Sequence, residues 1–202
     1  MIAVSSISNQ DLMTQARDIL RGKWTTPVLV SLVYVIVIAI LNQPGVIPAA
    51  LSLLVSGPIA LGFTYFYLAI IREQKVDTNL LTKGFTEFIP SLLTYLLTLL
   101  LIILWMILLI IPGIMAAYSY ALVFYIRRDQ PELDIMATLN RSKALMYGNR
   151  WKLCYLHFRF FGWFLLSIIT CGIGFLWFLP YIQTTSALFY EDLIQNEQSP
   201  QQ

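Results

Sequence analysis

The chain has 202 residues, 58% of them hydrophobic and 12% charged, with a net charge of +2. A soluble domain carries about twice that share of charge, and a soluble fold would have no interior for so many apolar side chains. The small net charge signals neither nucleic-acid binding nor an acidic partner.

Three stretches hold most of the apolar residues. Trp24–Ile71 and Phe88–Ile126 contain no Asp, Glu, Lys or Arg, and Leu153–Tyr190 is broken only by His157 and Arg159. A helix rises about 1.5 Å per residue and the hydrocarbon core is about 30 Å thick, so each stretch is roughly twice one crossing. Each is expected to cross, turn and return. The fold class predicted is all-α, a polytopic helical membrane protein with six transmembrane helices as three hairpins and short cytoplasmic amphipathic helices. Residues 1–26 are the amphipathic N-terminal segment, 27–192 the six-span domain and 193–202 a disordered tail.

The elements follow in order. Ser8-Asn9-Gln10-Asp11 reads as a capping box. Leu12, Met13, Ala16, Ile19 and Leu20 follow at helical spacing, and Gly22 is the expected C-cap. This helix is expected to lie on the cytoplasmic membrane surface, with Trp24 as an interfacial anchor. Span one covers Pro27–Leu41 and is broken by Asn42-Gln43-Pro44-Gly45. Span two covers Pro48–Ile71, with Gly57-Pro58 expected to kink it or mark its start. Asp77–Gly84 reads as a short amphipathic turn. Span three covers Phe88–Ile111, Pro112-Gly113 is the second hairpin turn, and span four is the short stretch Ile114–Ile126. Asp129-Gln130-Pro131 is expected to open the longest cytoplasmic helix, ended by Gly148, with a stripe of Ile135, Met136, Leu139, Leu145 and Met146. Span five covers Trp151–Thr170, Cys171–Gly174 turns the chain, and span six covers Phe175–Tyr190. Gly22, Gly84 and Gly148 each close a surface helix ahead of an aromatic residue, which suggests a weak repeat of one hairpin unit.

Charge gives the sidedness. Arg17, Arg21 and Lys23 precede the first stretch. Arg72, Lys75 and Lys83 precede the second, and six more cations, from Arg127 to Lys152, precede the third. The three intervening turns carry no charge. By the positive-inside rule the charged loops and both termini are cytoplasmic. Val28–Leu41 has the length of a signal-peptide core, but no small-x-small cleavage site follows it, so a retained span is preferred. Cys154 and Cys171 fall inside the third apolar stretch and outside any CxxC pair, and they read as packing residues.

Several motifs then carry a family likeness. They are Ile111-Pro112-Gly113-Ile114, Tyr118-Ser119-Tyr120, Gly148-Asn149-Arg150-Trp151-Lys152-Leu153, Gly172-Ile173-Gly174-Phe175-Leu176-Trp177 and Pro180-Tyr181, with Gly22-Lys23-Trp24 near the start. On these residues the chain resembles a bacterial integral-membrane family known as domain of unknown function 975. The resemblance implies a cytoplasmic-membrane protein of several spans. It brings no activity, ligand or catalytic residue.

The residues themselves offer little chemistry. There is one histidine, so no His-rich metal site can form within one chain. No GxSxG, HExxH, Walker A or GxGxxG motif occurs. No Asp or Glu falls inside a span, which argues against an ion-coupled carrier. His157 and Arg159 stand among Tyr155, Phe158, Phe160 and Phe161, and Arg150 and Lys152 lie just before them. These four are the candidate contacts for an anionic lipid; the preferred reading of Arg159 is an interfacial residue that snorkels, and topology setting suffices for Arg150 and Lys152. The expected function is non-enzymatic, without a cofactor, and exercised through membrane lipids, protein partners or a second copy of the chain. The alternative is a small transporter or channel subunit, motivated by Gly57-Pro58, Pro112-Gly113 and Pro180.

Overall fold

The computed structural model describes residues 4–73, 76–170 and 172–198, which form eleven helices and no strand. Cys171, Lys75 and the end of the tail lie outside the described residues.

Helix α1 spans Asn9–Leu20. Its cap is the expected one, with the Asp11 amide donating to Ser8 Oγ at 3.1 Å, and Gly22 takes φ +80° just beyond it. Its apolar face, however, does not face lipid. Leu12, Ala16 and Leu20 are fully buried, and α1 packs against the last helix, α11, Phe175–Gln198. Protein offers these side chains the same escape from water as a membrane, with close packing added. Helix α2, Thr25–Leu41, leaves α1 at 102°.

Helix α3 runs unbroken from Val46 to Glu73, through Pro58. Gly57-Pro58 therefore neither starts the helix nor interrupts it. The small residue serves a close approach instead. A Cβ on Gly57 would strike the Ser91 carbonyl, and one on Gly62 would strike that of Leu81. Gly84 is no helix stop either. It lies buried inside α4, Leu80–Thr86, with its backbone against Pro58 and Gly62. Thus α4 lies on α3, and the middle glycine of the suspected repeat does a different job from Gly22 and Gly148, which share φ values of +80° and +83°.

Helix α5 spans Phe88–Leu108 and α6 spans Ile110–Ser119. The chain turns at Leu109, whose backbone is extended, rather than at Pro112-Gly113. Pro112 sits in the first turn of α6, where its missing N–H costs nothing, and a Cβ on Gly113 would collide with Met106 across the α5–α6 contact. Helix α7, Val123–Asp129, continues α6 after a short break. Helix α8, Ile135–Leu145, starts later than the proline suggested. Its cap is Asp134, which accepts from the Ala137 amide at 2.6 Å. Helices α9, Arg150–Arg159, and α10, Phe161–Ile169, meet at Phe160.

Four stretches are long and apolar enough to cross a membrane, namely Val46–Glu73, Phe88–Leu108, Ile110–Asp129 and Arg150–Ile169. A fifth is reached if the bent pair of α1 and α2 counts as one. The sixth expected span is not shown by length and composition. The helix that falls short is α11, because Gln183, Thr184, Thr185, Glu191 and Asp192 dilute its apolar content. Thr184 and Thr185 are fully buried, and α11 touches α1, α2, α3 and α10. It also stays helical to Gln198, beyond where its composition suggested order ends.

The core is unevenly placed. Phe66, Ile70, Ile126, Met146, Phe189 and Leu193 are buried together beside the charged loops. Such side chains are worth about 1.5–3 kcal/mol each when withdrawn from water. Away from the charged loops the helices are bare. Val46 is 87% exposed, Ile107 79% and Ile169 77%. A soluble protein rarely shows an apolar surface of this extent, and it fits a membrane protein.

Candidate functional site

Where the helices separate, α2, α3, α5, α7, α9 and α11 enclose a cavity of about 450 Å³, within the range of small-molecule sites. Its polar groups come from several elements, with Tyr34 on α2, Ser56 and Thr64 on α3, Tyr95 on α5, His157 on α9, and Gln183 and Ser186 on α11. Three of these hydroxyls donate within their own helices. Ser56 Oγ reaches Ser52 O at 2.6 Å, Thr64 Oγ1 reaches Ala60 O at 3.0 Å, and Ser186 Oγ reaches Ile182 O at 2.8 Å. Each keeps its acceptor lone pairs free. The His157 ring lies 5.7 Å from that of Tyr118, centroid to centroid. No carboxylate, lysine or arginine lines this cavity among the described residues.

A second space adjoins it. An apolar groove of about 590 Å³ runs between α2, α3 and α4, from Leu41 and Leu51 to Leu81 and Phe85. Tyr34, Val55, Ile59 and Phe63 line both spaces. Tyr34 and Phe63 meet edge to face, centroids 4.9 Å apart at 82°. This aromatic pair is the partition between a polar chamber and an apolar channel, and either side chain can be reached from both.

The four residues expected to contact an anionic lipid do not form one site. His157 lines the chamber. Arg159, two positions on, is exposed. Lys152 Nζ donates to Ser5 O at 2.8 Å and Ile7 O at 2.5 Å, which fastens the N-terminal segment to α9. Arg150 lies in a separate pocket with Lys143. The Pro and Gly breaks that suggested a transport path also fall elsewhere, since Gly57, Pro58, Pro112 and Pro180 all lie within helices and none lines the chamber. The sequence reading missed Gln183 and Tyr34. A glutamine in an otherwise apolar run was the available signal for the first, and Tyr34 carried none.

Two overlapping regions, residues 1–112 and 98–197, match the family model described as "Protein of unknown function (DUF975)". The chain belongs to this family. The match reaches well into the N-terminal half, where Gly22-Lys23-Trp24 was the main local sign of DUF975. No curated protein and no solved structure matches the chain. Membership of DUF975 assigns no activity, so a functional reading of this member has to come from its geometry.

Proposed function

We propose that this DUF975 protein is a multi-pass protein of the bacterial cytoplasmic membrane that works without catalysis by holding a lipid with an uncharged polar head. One observation carries the reading: a polar chamber and an apolar groove lie side by side, with Tyr34, Val55, Ile59 and Phe63 lining both. An amphiphile lodged there has its chain in the groove and its hydroxyl or amide head against Gln183, Tyr95 and His157. The head is uncharged because an anion in this chamber would meet no cation, and an unpaired buried charge is costly. The charged loops and both termini face the cytoplasm by the positive-inside rule, and the bare apolar ends of the helices are in lipid.

The test is native mass spectrometry of protein extracted from bacterial membranes in mild detergent. Wild type is expected to retain a neutral lipid. Ile59→Trp, which fills the shared wall, and Gln183→Leu, which removes a head contact, are each expected to lower its occupancy severalfold. Equal occupancy in both variants ends the reading. The chamber's volume also suits a small polar solute, which supports a carrier as the second reading. Solute uptake into proteoliposomes above that of empty vesicles, lost in Gln183→Leu, favours that alternative.

A further inference from the structure

The polar groups of the chamber fall into two sets with opposite needs. Among the described residues, the side chains of Tyr34, Tyr95, Tyr125, His157 and Gln183 make no hydrogen bond within the protein, and none of their polar atoms is fully enclosed. Tyr34 and Tyr95, from α2 and α5, are electrostatic neighbours, and Tyr125 lines the chamber although it is only 8% exposed. All five can donate. Ser56, Thr64 and Ser186 already donate within their own helices, so towards the chamber each can only accept. A ligand bearing carbonyls alone meets the donors and brings no proton to these three oxygens. A ligand with one hydroxyl, such as diacylglycerol, matches only a fraction of either set. A polyol, whose hydroxyls both donate and accept, matches both and relieves the desolvation cost of the unpaired groups. Phe63, Phe124 and the three tyrosines bring aromatic rings to the same wall, and the negative face of such a ring attracts the polarised C–H side of a sugar.

We infer that the head group lodged in the chamber is a single uncharged sugar, and that the lipid is a glycolipid with one acyl chain along the adjoining groove. This rests on the neutral-lipid reading above and narrows it. No carboxylate, lysine or arginine lines the chamber among the described residues, which favours a plain hexose over an acidic or amino sugar. The groove, walled by Val33, Val37, Leu41 and Leu51 among others, matches an acyl chain, and a free sugar would leave it unused.

The experiment offers monoglucosyldiacylglycerol and diacylglycerol together to the purified full chain in a polyoxyethylene detergent, which carries no sugar. Native mass spectrometry reads both occupancies. Wild type is expected to favour the glucolipid by roughly tenfold, a preference within reach of two added hydrogen bonds. The double variant Tyr95→Phe, Tyr125→Phe keeps the rings, removes two hydroxyls and is expected to lower that preference severalfold. Tyr155→Phe removes the hydroxyl of an exposed residue outside the chamber and is expected to leave it unchanged. The ratio of the two lipids is the readout, which separates loss of a head contact from loss of folding, since a misfolded chain loses both. If the double variant misfolds, each single variant carries the same test. Equal occupancy by the two lipids in wild type overturns the sugar head and leaves the neutral-lipid reading standing, whereas retention of neither ends both. An unchanged preference in the tyrosine variants, or an equal drop in Tyr155→Phe, also overturns the inference. So does displacement of the glucolipid by millimolar glucose, which assigns the chamber to a free sugar.

Discussion

Arg72 closes on Asp129 through two parallel hydrogen bonds, Nη1 to Oδ1 at 2.8 Å and Nη2 to Oδ2 at 2.7 Å, and so ties the end of α3 to the end of α7. Arg72 Nε also donates to Glu191 Oε1 at 2.5 Å, and the Tyr190 hydroxyl donates to Asp129 Oδ2 at 3.0 Å. Three helices meet in one polar knot above the buried core. Two-toothed pairing makes this more than a point-charge contact. The Arg72 side chain is 33% exposed, so solvent screens part of the gain. Arg72→Ala is expected to cost about 1–2 kcal/mol in detergent-solubilised protein. Arg72→Lys should recover less than half of that, because an ammonium cannot reproduce the fork. A thermal unfolding midpoint equal to wild type in both variants removes the knot from the account of stability.

Gly62 and Gly84 test the close approach of α3 and α4. In an isolated helix alanine outperforms glycine by about 1 kcal/mol, so propensity alone predicts stabilisation. The backbone carbonyls of Leu81 and Pro58 stand where the new methyls would go, and neither can swing aside as a side chain would. Gly62→Ala and Gly84→Ala are therefore expected to destabilise by about 1–3 kcal/mol. Gly162, with nothing within 4 Å of its added Cβ, is the control and should be neutral or slightly stabilised as alanine. Matching midpoints for all three would show that the contact is looser than described.

Lys152 governs the N-terminal segment. Its ammonium holds two carbonyls of that segment, while the Ser5 amide donates to Asn149 Oδ1 at 3.0 Å and Ser5 Oγ donates to Asp192. Lys152→Met keeps the apolar stem and removes the donors. The Ser5 and Ile7 amides should then exchange hydrogen about tenfold faster or more, since charged hydrogen bonds contribute about 1.5–3 kcal/mol, while exchange in α3 stays unchanged. Equal protection of Ser5 in both proteins argues that Asp192 and Asn149 suffice.

Sidedness is open to direct labelling. With Cys154 and Cys171 replaced, single cysteines at Gln43, Val76, Gln130 and Gln195 are treated in intact cells with a membrane-impermeant maleimide. Only the Gln43 variant is expected to react. Reaction at Val76 or Gln130 would overturn the assignment of the charged loops to the cytoplasm.

Helix existence was legible from residue pattern. The charge-free runs located α2, α3 and α5 to within a few residues, because a long apolar run admits few other conformations. Boundaries set by proline and glycine were not, since these residues have two uses. Pro112 fits a turn, yet it fits the first turn of a helix as well. Gly84 fits a cap, yet only its neighbours across space, Pro58 and Gly62, reveal a contact surface. The apolar stripe of α1 was visible, but a stripe does not say whether lipid or α11 covers it. The candidate site was nearly illegible for the same reason. Tyr34, Phe63, His157 and Gln183 are far apart in sequence, and each alone is an ordinary packing residue.

The polar flank of α11 has a consequence for how the chain is made. Thr184 and Thr185 are buried and Gln183 is half-buried among neighbouring helices, so α11 on its own is a poor candidate for insertion into hydrocarbon. It becomes acceptable only once the earlier helices stand ready to receive it. A chain stopped short of Phe175 is thus expected to lose the surface that buries Leu12, Ala16 and Leu20 of α1.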